Sequence, residues 1–151
     1  MEEDKYYHTV EKFSWIYNLW KWADENHIDC EREYDSYGSD EFTFRGIPRD
    51  KDILKSMKNL NLAGYNLDYL PIEIGNLINL TSLTLDDNNL VELPYSIVYL
   101  ENLEYLSIST NNLISLPEEL SNLEKLHRIV IRGNNLKSIS PVLSKFINYQ
   151  D

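Results

Sequence analysis

The side chains most able to do chemistry in this chain are sparse and poorly spaced for it. One cysteine, Cys30, and three histidines, His8, His27 and His127, are scattered through 151 residues. A zinc centre needs several such ligands in close pairs, so no metal site is expected. A lone cysteine cannot close an intrachain disulfide, which suits a reducing, cytoplasmic setting. The acidic run Leu85–Leu90 (LDDNNL) lacks the alternating ligands, the glycine and the terminal Glu of a calcium loop. Glycine-rich phosphate loops, nucleophile elbows, HExxH and CxxC are all missing. Neither catalysis nor a cofactor is expected. Asn79-Leu80-Thr81 is a glycosylation sequon by pattern only, because Leu80 falls on a core position. Residue types suited to recognition remain: Asp86, Asp87, Tyr105, His127, Arg128 and Arg132, with Trp15 and Trp22 as a second group.

A repeat positions most of them. From Met57 the chain falls without insertion into four blocks of 23, at 57–79, 80–102, 103–125 and 126–148. Block positions 1, 4, 6, 11, 14, 18 and 21 hold only Leu, Ile, Met or Phe. Positions 4 and 6 alternate as in a strand. Positions 14, 18 and 21 line one face of a short helical return. A single block cannot bury its own apolar side, so stacked blocks must share a core and set their strands side by side in parallel. Asn88, Asn111 and Asn134 recur at position 9, where the chain leaves the strand. An amide there can donate and accept from coil to coil. Block one has Tyr65 instead, which predicts an imperfect ladder at that end. Pro71, Pro94 and Pro117 open the returns, where a missing N–H costs little.

This pattern resembles the leucine-rich repeat family in its 23-residue intracellular form, with LPxxIxxL in each repeat. The resemblance implies an α/β solenoid: a short parallel sheet on the concave side, helical or 3-10 returns on the convex side, and an N-terminal helical cap. Upstream, Phe44, Ile47, Pro48 and Leu54 match positions 11, 14, 15 and 21 of an earlier block. Residues 42–56 therefore read as a degenerate half repeat, and Phe42-Thr43-Phe44 as a short strand. Residues 1–41 read as a capping helix and a polar surface loop. In 5–27, Tyr6, Val10, Phe13, Ile16, Tyr17, Leu19, Trp20, Ala23 and His27 share one helical face, with Asp24 near its rim. Trp15 and Trp22 lie on the other face. They either form a partner surface or are buried beneath 28–45, and the rarity of exposed Trp pairs on monomers favours burial.

Leucine-rich repeat proteins commonly bind protein partners on the concave surface, which implies the same here for Asp86, Asp87, Tyr105, His127, Arg128 and Arg132. The competing reading is a solvated face with Asp–Arg pairing across coils. Net charge is −11, composed of −6 in 1–56, −8 in 57–125 and +3 in 126–151. Such an acidic chain disfavours nucleic acid, and no polybasic cluster invites a membrane. The basic last coil fits an acidic partner. The expected function is a non-enzymatic adaptor, inhibitor or scaffold. The alternatives are a regulator of an enzyme, or a unit that self-associates through strand 127–132 as an open edge, giving a monomer or a weak homo-oligomer. The acidic N-terminus, MEEDKYYHT, predicts no signal peptide.

Overall fold

The computed structural model describes residues 14–33 and 43–147. One six-stranded sheet runs in chain order: β1 Glu31–Glu33, β2 Thr43–Arg45, β3 Asn59–Asn61, β4 Ser82–Thr84, β5 Tyr105–Ser107 and β6 Arg128–Val130. Strands β2 to β6 are parallel, and β1 pairs antiparallel with β2. From β3 onward each residue pairs with the one 23 positions later, as Leu60 with Leu83, Leu83 with Leu106 and Leu106 with Ile129. Behind β3, β4 and β5 the chain returns through single 3-10 helices at Ile72–Asn76, Tyr95–Tyr99 and Glu118–Asn122, each preceded by its proline. A short α-helix, α3 Pro141–Ser144, does the same in the last coil.

The core follows the apolar positions of the repeat. All of them are buried except Leu116, Leu136, Ile139 and Phe146, which are partly buried and pack against the rest. Burying each such side chain contributes about 1.5–3 kcal/mol, so a shared core is the main cohesive term between coils.

The asparagines form the second. Asn88 Oδ1 accepts from Leu67 N at 2.9 Å, Asn111 from Leu90 N at 3.0 Å and Asn134 from Leu113 N at 3.0 Å. Each amide also donates to the carbonyl of position 6 in the preceding coil, namely Leu62, Leu85 and Ile108. At Tyr65 this ladder stops. Its ring lies under the Arg45 guanidinium at 5.5 Å, its hydroxyl donates to Asp29 O at 3.5 Å, and burial pushes the phenol's pKa up.

The N-terminal helix α1, Trp15–Glu25, covers the first coil. Ser14 Oγ caps it by accepting from Tyr17 N, and Trp20 Nε1 donates to Pro48 O at 2.9 Å. Asn18 reaches Glu73 at the start of the first return, and Asp24 at the rim pairs with Arg49. Tyr6, Val10 and Phe13 lie outside the described residues.

Several expectations need correction. His27 is not on the apolar face of the helix: it lies beyond the helix end, exposed, with a left-handed φ of 54° that turns the chain so that Ile28 N reaches Ala23 O. The acidic loop contains a strand, β1. Glu31 and its neighbours carry no apolar alternation, but an edge strand tolerates charge. The turn at Gly46 makes room for it, since a Cβ there would lie 1.5 Å from Asp29 O.

The half repeat is also out of phase with its assignment. The short strand expected there is present as β2, but Phe44 pairs with Leu60, a residue at position 4, only 16 residues later, so it takes a strand position rather than position 11. This coil omits the long turn and passes through Pro48 directly into α2, Lys51–Ser56, capped by Asp50. Finally, β6 is not a fully open edge: Ile147 bridges Ile129 in parallel, and Ile129 N donates to Phe146 O at 2.7 Å.

Candidate functional site

Register carries the concave side chains into neighbouring rows. Ser82, Tyr105 and Arg128 pair across β4, β5 and β6, as do Thr84, Ser107 and Val130. The Arg128 guanidinium stacks over the Tyr105 ring at 5.8 Å, with both residues half-buried. This cation–π contact holds a cationic group against an aromatic ring on the sheet. His127, next to it, is exposed, and its Nδ1 lies 3.2 Å from Lys125 O. Arg132 is exposed two residues beyond the end of β6.

The acidic pair divides into two roles. The Asp86 carboxylate accepts from Ser107 Oγ at 2.7 and 2.9 Å and from Ser109 N at 2.7 Å. It is therefore committed to joining the second coil to the third, with charge-assisted bonds of the stronger kind. Asp87 is exposed and has φ 55°. The sequence pattern concealed the reason. Position 8 is left-handed in every coil, as Gly64 (75°), Asp87 (55°), Thr110 (53°) and Gly133 (68°). Glycine suits that conformation and Asp tolerates it, whereas β-branched Thr110 is strained there. The signal was available in the Gly, Asp, Thr, Gly series at one fixed repeat position.

The structure thus brings Tyr105 and Arg128 together, with His127 just before β6 and Arg132 just after it, and assigns Asp86 to the scaffold. The tryptophans are buried or partly buried, as the favoured reading expected, although Trp22 packs on the first coil rather than beneath residues 28–45. Trp22 is 4% exposed and packs edge-on against Tyr69, their centroids 6.4 Å apart, while Trp15 is partly buried against the core. Trp22 is covered by the first coil, so it forms no surface with Trp15. Its Nε1 is buried without a hydrogen-bond partner among the described residues. Among the described residues no His, Cys, Asp and Glu group could hold a metal ion, and no helix is long and apolar enough to cross a membrane.

The concave row carries small polar groups, an aromatic and arginines, an arrangement suited to recognition by hydrogen bonding and stacking. The family model described as a leucine-rich repeat region matches residues 50–147. A solved leucine-rich repeat protein of Leptospira interrogans is 35% identical, with a TM-score of 0.59 over 66% of this chain and 26% of that one. This chain thus spans about a quarter of that protein's length. The leucine-rich repeat ectodomain of the receptor kinase SOBIR1 from Arabidopsis thaliana is 21% identical, with a TM-score of 0.54 over 87% of this chain and 74% of that one; it shows the shared fold. No curated protein matches the sequence. Leucine-rich repeat domains are in general protein-interaction modules and typically not enzymes. With its family model matched over more than half its length, and with 23-residue coils stacked on one parallel sheet, the chain belongs to the leucine-rich repeat family.

Proposed function

We propose that this protein is a cytoplasmic, non-enzymatic adaptor or scaffold that binds an acidic protein segment on the C-terminal half of its concave face. The observation that carries the reading is the Tyr105–Arg128 stack. It sets a guanidinium against an aromatic ring on the sheet, with exposed His127 preceding Arg128 in the chain and exposed Arg132 four residues after it. Arg and Tyr dominate interface energetics because they give large contact area and directed donors at modest entropic cost. The basic last coil, +3 against −8 in the preceding repeats, supplies steering toward acidic sequences. Cys30 is the single cysteine of the sequence and cannot close an intrachain disulfide, which fits a reducing compartment.

The test compares affinity capture from native lysate by the wild-type protein and by Tyr105→Ala/Arg128→Glu. A partner retained by the wild type and lost by the variant supports the reading, and its bound segment should be acidic. A partner held equally by both would refute the concave assignment.

A further inference from the structure

Two of the convex returns meet where no side chain would fit. A Cβ on Gly75 would lie 2.4 Å from Ser96 O and 2.7 Å from Ser96 Cβ, so the first return lies directly against the second. This aligns residues at equal repeat positions. Ile72 (70% exposed) and Tyr95 (59%) are both at position 16, and Tyr99 (57%) stands edge-on to Tyr95 with centroids 6.1 Å apart. Three large exposed apolar side chains therefore stand on two returns in close approach, a ridge of the kind that soluble monomers rarely leave uncovered without a use.

One coil further on, the position of Gly75 is taken by Val98. Between the second and third returns lies a cleft of about 480 Å³, lined by Val98, Glu101, Asn102, Leu123, Glu124 and Lys125. It adjoins the ridge, because Val98, Tyr99 and Glu101 are close neighbours in the chain. Lys125 Nζ donates to Asn102 Oδ1 at 2.6 Å at its margin. Across residues 57–125 the only basic residues are Lys58 and Lys125, against ten acidic ones.

We propose that this convex face docks a cationic amphipathic helix of a protein partner. Its apolar side covers Ile72, Tyr95 and Tyr99, and its Lys or Arg side chains enter the cleft beside Glu101 and Glu124. The charge sign selects a basic partner and opposes nucleic acid and anionic lipid alike. A helix fits better than an extended segment. The returns expose side chains rather than a strand edge, so the partner must satisfy its own backbone. The face lies opposite the concave row, and its occupation is independent of the function proposed above.

The probe is a fluorescein-labelled amphipathic Leu/Lys helix of four turns, titrated with the full chain and followed by anisotropy at low and moderate salt. Saturable binding is expected. Tyr95→Ser/Tyr99→Ser should weaken it by about tenfold or more, as loss of aromatic anchors does. Glu101→Gln/Glu124→Gln should weaken it and flatten its salt dependence, while Tyr105→Ala leaves it unchanged. If the double serine variant loses its circular dichroism signature, Ile72→Ser supplies the same comparison from the most exposed ridge position. The proposal is overturned by equal affinity in the ridge variants, by equal affinity for an all-Lys peptide of the same length, by no saturable binding, or by preferential uptake on anionic phosphatidylserine vesicles.

Discussion

Truncating Asn111 to alanine isolates what the amide ladder contributes. Asn111 is 5% exposed. Its Oδ1 accepts from Leu90 N at 3.0 Å, and its Nδ2 donates to Leu85 O at 2.9 Å, Ser109 O at 3.1 Å and Ile108 O at 3.3 Å. The three carbonyls keep other donors after truncation: Asn88 Nδ2 on Leu85 O, Asp87 N on Ser109 O and Asn134 Nδ2 on Ile108 O. The Leu90 N–H does not. An orphaned buried donor costs about 1–3 kcal/mol, and each lost bond about 0.5–1.5 kcal/mol net. With the carbonyls still satisfied, Asn111→Ala should cost about 3 kcal/mol. For a domain of this size that corresponds to a fall in Tm of roughly 6–12 °C. Half-buried Asn134 can exchange its lost bonds for water, so Asn134→Ala should cost about half as much. Exposed Asn112→Ala should stay within about 0.5 kcal/mol. Thermal and urea unfolding followed by circular dichroism measure the three, and amide exchange at Leu90 reports the orphaned donor directly. A cost below about 1 kcal/mol at Asn111, or an equal cost at Asn134, would refute the reasoning.

Two further perturbations test local physics. Gly75→Ala would ordinarily stabilise a helical return by about 0.4–1 kcal/mol through the unfolded chain. Here the added methyl meets Ser96 backbone, and overpacking of that kind costs about 1–3 kcal/mol. The net expectation is a loss of about 1–2 kcal/mol, read as a Tm lower by roughly 2–8 °C, and a rise in Tm would show that the returns separate freely. Asp50 caps α2, and the backbone N–H groups of Ile53 and then Asp52 hold its carboxyl below the usual value of 3.8. A depressed folded-state pKa contributes stability that is present above the unfolded value and is lost as pH falls through the folded one. Below pH 4 the wild type should therefore lose stability more steeply than Asp50→Asn, as measured by thermal melts across an acid series. Parallel pH profiles would remove Asp50 as a source of acid sensitivity.

How much of this was legible follows from where each signal resides. Strand, return and core were written in apolar side chains repeated at fixed positions, and the asparagine ladder in an amide repeated at position 9. Stacking identical coils turns a periodic local pattern directly into tertiary structure. Features that depend on pairing between unlike segments had no such signal. Nothing periodic in 29–33 announces that a charged stretch will pair with β2, because that pairing depends on the turn at Gly46. The phase assigned to the half repeat 42–56 failed for a related reason. Ile47 and Leu54 are buried as expected, but the coil reaches α2 without the long turn, so counting back by 23 misplaces Phe44. At the candidate site, the 23-residue register sets Arg128 beside Tyr105, a pairing the repeat positions made legible. Only geometry distinguished Asp86, bonded to Ser107 and Ser109, from Asp87, which is exposed in a left-handed turn.

The convex face shows where individuality enters a repeat of constant length. Positions that face the core cannot vary much, since each fills space shared with two neighbours. Position 19 faces the next return instead, and there one side chain decides the spacing. Gly75 draws the first and second returns together and aligns Ile72 with the tyrosines; Val98 stands between the second and third, where the cleft lies. The small residue thus lies where the returns approach closely and the larger one lines a polar cleft, while the 23-residue register of the sheet is constant. Recognition on such a scaffold is therefore to be sought at positions the repeat leaves unconstrained: Tyr105, Arg128 and Arg132 on one face, Ile72, Tyr95 and Tyr99 on the other. Substitutions there should alter binding while leaving the stability of the stack almost unchanged.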